Sequence, residues 1–361
     1  MDRHNARLYS NYRNAARHSQ RRTAVNISQP TDYRNQLSNH GLAKRHINEG
    51  GIFGWFGHHI CLLLHLGKHG VRMASIRKSE VVLPKEIFDL VFGVSNGQKW
   101  LRTRTKGLIN LFDICENSDE RQLIFDLLSR FHYLDDDGFN KKIDEIIEYF
   151  HALFENDFSQ VVFAPLYNDN KDGRSDSSFA ALYRLKTRFP TGRMSRYRDS
   201  NSAFRAIHLP DVKSVVMVDD FSGTGKQASD VLKSLSSQIK SANLNVHLHV
   251  GTIASMAKAM RAIKPHVESH YSCLILNRGI SDHYSFLERK KMIELMKNIE
   301  GKFQAPARYN SVLRKLYHRG FQESESLFKC ENSRTANNVF PALYWRYLKN
   351  GEEIDNILEP Y

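Results

Sequence analysis

Apolar and polar positions alternate with two different rhythms along this chain, and the change falls near residue 160. Residues 83–92 (LPKEIFDLVF) read as a helix with Pro84 at its start, where the missing N–H costs nothing. Residues 118–155 keep helical spacing. Leu123, Ile124, Leu127, Leu128 and Phe131 mark one apolar face, and Ile143, Ile146, Ile147 and Phe150 mark another. Ser118 is the expected N-cap, with Arg121 three residues on and hence no capping box. The run 134–138 (LDDDG) interrupts the spacing. The pattern predicts a helical hairpin with its acidic side in solvent.

Beyond residue 160 short apolar, β-branched runs alternate with helical segments. Strands are predicted at 161–164, 214–218, 246–253 and 271–276. Helices are predicted between them at 177–186, 226–239 and 256–263. Strands separated by helices need crossover connections, which are right-handed and build a parallel sheet covered on both faces. In such sheets ligands bind at the carboxyl ends of the strands.

Composition narrows the class. With 361 residues, 41% hydrophobic and 25% charged, the chain is an ordinary globular one and about two domains long. No apolar run approaches the roughly 20 residues that span a bilayer. The N-terminal ten residues hold no apolar signal core, so a cytoplasmic location is expected. Cys61, Cys115, Cys273 and Cys330 lie far apart, which fits a reducing compartment.

Charge divides the chain further. Residues 1–110 hold 18 Lys/Arg against 6 Asp/Glu, while residues 111–160 hold 4 against 13. Three parts are expected: a basic arm at 1–50, a small helical module at 51–115 and an α/β domain at 116–361. The basic front, with Tyr9, Tyr12 and Tyr33 among its arginines, suits a nucleic acid or nucleoprotein partner.

The densest chemistry is at 215–227 (VVMVDDFSGTGKQ). Four apolar residues bury a strand and two carboxylates, Asp219 and Asp220, stand at its end. The small turn Ser222, Gly223, Thr224, Gly225 then opens a helix at Lys226 and Gln227. Glycines let backbone amides face inward, and a helix N-terminus carries partial positive charge, so the turn suits a phosphate. Paired carboxylates suit sugar hydroxyls, directly or through Mg²⁺. A tight strand-to-helix turn capped by Asp is the plainer account. A Walker A loop fits worse, because Asp220 stands where its first glycine belongs and Gln227 where its Ser/Thr belongs.

This segment resembles the phosphoribosyltransferase signature of four hydrophobics, two acids and a small Thr/Gly loop. Lys226 and Gln227 depart from its usual small residue and threonine. The resemblance extends through residues 115–348. There the helical run 120–134 and the late run 332–345, with Asn337, Asn338, Pro341 and Trp345, look like divergent phosphoribosyltransferase-like proteins of bacterial anti-phage defence systems, including some retrons.

The resemblance implies a type I phosphoribosyltransferase-like α/β fold that binds phosphoribosyl pyrophosphate (PRPP) or a phosphoribosyl nucleotide with Mg²⁺. Asp219 and Asp220 would hold the ribose, and Mg²⁺ through its hydroxyls. Residues 222–227 would hold the 5′-phosphate, and chemistry would fall at the ribose C1 bond. A pyrophosphate loop would lie at 167–176, with Lys171, Gly173 and Arg174. Asn337 and Asn338 would read a base edge or cap a turn. The implied setting is a defence assembly with a reverse transcriptase and its RNA/DNA. The intact acidic pair favours an enzyme. The altered loop favours a catalytically inactive nucleotide-sensing or scaffolding subunit.

Overall fold

The computed structural model describes residues 83–166, 176–188, 201–305, 317–331 and 333–359. The basic arm and the helical module up to residue 82 lie outside them. By its internal contacts the chain divides into Met1–Lys78 and Ser79–Tyr361, and the second unit is the one described below.

The unit begins with helices α1 (Lys85–Gly97), α2 (Thr105–Ile114) and α3 (Ser118–Ser129). Strand β1 (His132–Leu134) and helix α4 (Asp136–Leu153) follow. Next come β2 (Val161–Pro165), α5 (Asp176–Arg188), α6 (Asn201–Ala206) and β3 (Ser214–Ser222). Then come α7 (Lys226–Ser241), β4 (His247–Met256), α8 (Ala257–Ile263) and β5 (Ser269–Leu276). Helix α9 (Phe286–Gly301) and strand β6 (Phe328–Cys330) complete the set.

Among the described residues four strands form one parallel sheet in the order β2-β3-β4-β5. The α/β class expected from the sequence is the observed one. β2 and the first part of β3 are apolar because they are buried on both sides, whereas β5 at the edge is only half-buried. Val161 and Phe163 of β2, with Val216 and Val218 of β3, pack against Ile143, Ile146 and Phe150 of α4 and Leu185 of α5. Val162, Ala164, Val215 and Met217 turn the other way, onto Ala203 of α6 and Val231, Leu232 and Leu235 of α7. Period-two alternation thus sorts neighbouring residues into two cores.

The hairpin expectation needs correction. Leu123, Ile124, Leu127, Leu128 and Phe131 of the α3 segment share a core with Ile87, Leu108, Phe112, Phe340 and Leu343. The apolar face of α4 lies against the sheet instead. Between the two helices, β1 pairs in parallel with β6, which arrives almost two hundred residues later. The acidic side of α4 is also not simply solvated. Asp136 meets Arg184 at 2.8 Å, and Asp144 meets Arg188, so the helix is tied to α5.

Capping differs too. Asn117, not Ser118, caps α3, accepting the Glu120 N–H at 2.9 Å. The sequence boundary at 115 falls inside a continuous core, since Leu108 and Phe112 lie with Leu123 and Phe340. Among the described residues no helix is long and apolar enough to cross a membrane.

Candidate functional site

Strand β3 runs four residues beyond its expected end, so Asp219 and Asp220 lie within it. Their register is held by β4, with Asp219 opposite Thr252 and Phe221 opposite Ala254. Extension is possible because β4 also continues to Met256, which supplies backbone partners to the end of the run.

Asp220 is buried. Oδ1 of Asp219 accepts the Asp220 N–H at 2.9 Å and the Ser178 hydroxyl at 2.6 Å. Burial, and next the charge of Asp220, push the Asp219 carboxyl well above the ordinary carboxylate range. Two acids side by side in a partly dry place resist double ionisation, and a cation or a set of hydroxyl donors relieves that strain.

The turn after the strand is tight. Gly225 has φ +73° and stands at the N-cap of α7. A Cβ there would lie 2.9 Å from the Ala259 Cα and 3.0 Å from the Ala262 Cβ of α8. Gly225 is therefore required by backbone conformation and by the packing of α8, before any ligand is considered. Ser222 is buried, and the Thr224 Oγ1 accepts the Lys226 N–H at 3.4 Å. Lys226 and Gln227 are exposed at the start of α7, with the Lys226 ammonium 3.3 Å from Asp230.

Gly223 has a different neighbour. A Cβ on it would come within 2.3 Å of the Asn338 side chain. The late asparagine therefore sits directly on the turn, although 115 residues separate the two positions. Its Nδ2 donates to Ser324 Oγ at 3.1 Å, and its carbonyl accepts from Ser324 Oγ at 2.9 Å and Ser326 N at 3.0 Å. Asn337 lends its carbonyl to the Phe321 N–H at 2.8 Å. Pro341 opens the short 3-10 turn Pro341–Leu343, and Trp345 is part of the helical core.

The strand end has a further wall. Phe328 of β6 stacks on Phe221 at 5.2 Å between ring centroids. Burial, and then Asp220, push the neighbouring Cys330 thiol well up, while burial pushes the Lys329 ammonium down. The small sheet therefore lies beside the acids.

Of the residues singled out in the sequence, Asp219, Asp220, Ser222, Gly223, Thr224, Gly225, Lys226, Gln227 and Asn338 come together. Lys171, Gly173 and Arg174 lie outside the described residues. Ser178, Ser324 and Phe328 were not foreseen. They lie 41 or more positions from Asp219 and Asp220 in sequence, and no local pattern marks them.

Among the described residues no group of three or more His, Cys, Asp or Glu side chains forms a metal cage. Two adjacent carboxylates do fit the way Mg²⁺ is commonly held, by one or two acids together with ligand phosphates.

A parallel sheet, an acidic pair closing its second strand and a glycine turn opening the next helix define a phosphoribosyltransferase-like α/β protein. Solved structures similar to this chain include xanthine-guanine-hypoxanthine phosphoribosyltransferase of Helicobacter pylori (10% identity, TM-score 0.27, 39% of this chain and 85% of that one). A hypothetical protein of Neisseria gonorrhoeae with bound ppGpp is also similar (11% identity, TM-score 0.29, 45% and 97%). So is orotate phosphoribosyltransferase of Aeropyrum pernix (14% identity, TM-score 0.25, 44% and 76%). No curated protein matches the sequence. The sequence profile of the PRTase-CE family matches residues 99–352, and the chain belongs to that family.

Proposed function

We propose that the carboxyl end of β3 binds Mg²⁺–PRPP or a related phosphoribosyl nucleotide and acts at the ribose C1 glycosidic bond. The supporting observation is the pair of adjacent carboxyl groups near the end of β3, one turn from the start of α7. Asp219 and Asp220 hold ribose hydroxyls. The turn from Ser222 to Gln227 offers backbone N–H groups to the 5′-phosphate, where the helix adds favourable potential. Asn338 borders the same turn. Mg²⁺, when bound, neutralises phosphate charge and orients the leaving group. The protein's own part is electrostatic: it holds the ribose and the phosphates while positive charge develops at C1 in an oxocarbenium-like transition state.

Calorimetry of the purified chain with PRPP and common nucleotides, with and without Mg²⁺, tests this reading. Asp219→Asn combined with Asp220→Asn is expected to remove Mg²⁺-dependent binding while the protein stays folded. Undiminished affinity in that variant rejects the site.

A second reading is favoured by the Asn338 side chain seated on Gly223, which narrows the approach to the turn. In it the site senses a nucleotide, or scaffolds a defence assembly, without turnover. Binding without product formation, followed by chromatography of the incubated ligand, selects it.

The family resemblance and the basic front support an anti-phage role in which residues 1–110 meet the RNA or RNA–DNA hybrid of a retron. Mobility shifts at about 50 and 200 mM salt, with and without residues 1–50, are expected to show an arm-dependent affinity that falls steeply with salt. Equal binding by both versions removes the arm from that role.

A further inference from the structure

Ser178 is fully buried near the start of α5. Serines near a helix start commonly bond to their own backbone. Ser178 instead reaches across to β3, with its Oγ 2.6 Å from the Asp219 Oδ1 and 3.3 Å from the carbonyl of Leu166, the residue after β2. A hydroxyl has one proton to donate, and the shorter contact takes it. The Asp220 N–H falls on the same carboxyl oxygen at 2.9 Å. Two donors from different directions on Oδ1 fix the rotation of the carboxyl group. The direction of Oδ2 is set in consequence.

The platform is firm. Ala181, Leu182 and Leu185 bury α5 beneath the sheet, and Arg184 and Arg188 tie it to Asp136 and Asp144 of α4. The hydroxyl therefore sits on a packed helix and does not depend on a loop for its position.

We propose that Ser178 is the positioning residue of the acidic pair, holding the Asp219 carboxyl in the one orientation that presents Oδ2 to a ribose hydroxyl or its metal ion. This rests on the reading of the strand end as a phosphoribosyl site. Leu166 alone would satisfy the buried hydroxyl, so the short contact to Asp219 is a use of Ser178 beyond hydrogen-bond satisfaction.

The test has two arms on the full chain. In the first, calorimetry with Mg²⁺–PRPP compares the parent with Ser178→Ala and Ser178→Thr. The alanine variant is expected to lose about tenfold in affinity, the scale of one good hydrogen bond, and threonine to restore most of it. Unchanged affinity in a folded Ser178→Ala protein overturns the proposal.

The second arm needs no ligand. A double-mutant cycle on urea unfolding combines Ser178→Ala with Asp219→Ala. The effect of Ser178→Ala is expected to shrink once Asp219 is gone, leaving only the hydrogen bond to the Leu166 carbonyl, and additive effects overturn the proposal. Should Ser178→Ala fail to fold, Ser178→Cys, similar in shape but a weaker donor, takes its place in both arms. A parent that binds neither PRPP nor any nucleotide sinks the functional reading, and the cycle then decides the role of Ser178 by itself.

Discussion

The sheet and the helical layer solve the same burial problem with different partners. Around the sheet, core neighbours come from successive strands and helices between residues 136 and 276, joined by Phe328 and Cys330 of β6. In the helical layer, Phe112 near the front shares its core with Phe340 and Leu358 near the end. The Asn110 amide donates to the Asp355 carbonyl 245 positions away, and the Lys302 ammonium donates to the Ile114 carbonyl. At Gly107 a Cβ would fall 2.5 Å from the Asn356 carbonyl oxygen, so the two segments touch backbone to backbone. One region closes short loops of chain and the other closes nearly the whole unit. The joint between them is the segment ending in β6, where Leu327 faces the helical core while Phe328 and Cys330 face the sheet core.

The largest test of this contrast empties each core in turn. Phe112→Ala and Phe163→Ala remove fully buried rings from the helical layer and the sheet respectively. Each is expected to cost about 3–5 kcal/mol. Because β6 joins the cores, urea unfolding of either variant is expected to follow one transition, read by circular dichroism and tryptophan fluorescence together. Two separated transitions would break the joint and make the layers independent.

A smaller effect separates the two glycines of the candidate turn. Gly225→Ala forces a left-handed backbone on a residue with a Cβ and presses it on α8, so a loss of about 1–3 kcal/mol is expected in thermal melts. Gly223→Ala displaces a side chain, Asn338, that can rotate away. It is expected to cost less stability than Gly225→Ala and to lower PRPP affinity more than it lowers the melting temperature. Equal losses of stability at the two positions would mean that the late segment is as rigid a wall as α8.

The third test uses pH. Burial pushes His249 of β4 and His270 of β5 down to about 4, with His247 adding to the effect on His249. Between that value and the ordinary 6.5 the unfolded chain binds more protons than the folded one. Stability from these groups is therefore present above 6.5 and lost as pH falls through the window. Each contributes up to about 1.4 kcal/mol per pH unit. Denaturant unfolding at several pH values is expected to show this slope and to lose part of it in His249→Gln. Glu300 of α9 carries the opposite sign. Burial raises the carboxyl of Glu300, whose contribution is lost as pH rises through its raised range. A parent whose stability does not change on acidification would show that the sheet histidines are better solvated than their burial implies.

Much of the sheet was legible from residues alone. The runs at 161–164, 214–218, 246–253 and 271–276 became β2 to β5, each shifted or lengthened by a few positions. Asp219, Asp220 and the glycine turn were legible because strand, acids and turn are consecutive. Helix α9 carries a readable start signal in the capping box of Ser285 and Glu288. The three-residue strands β1 and β6 had none, since a run that short has no period to detect. Ser118 looked like the cap of α3, but the helix begins one residue earlier, and only the extended backbone of Asn117 aims its oxygen at the Glu120 N–H.

By itself, then, the order of residues determined the βα alternation, the two-sided burial of the strands and the acid–glycine run at a strand end. All of these depend on neighbours within a few residues. Only the tertiary structure decided that Asn338 sits on Gly223, that Ser178 holds Asp219 and that Phe328 stacks on Phe221. Each of those pairs a residue of the acid–turn run with a partner 41 or more positions away in sequence. Such contacts form because several cores close at once, and no periodicity along the chain encodes which distant segment will fill a given gap.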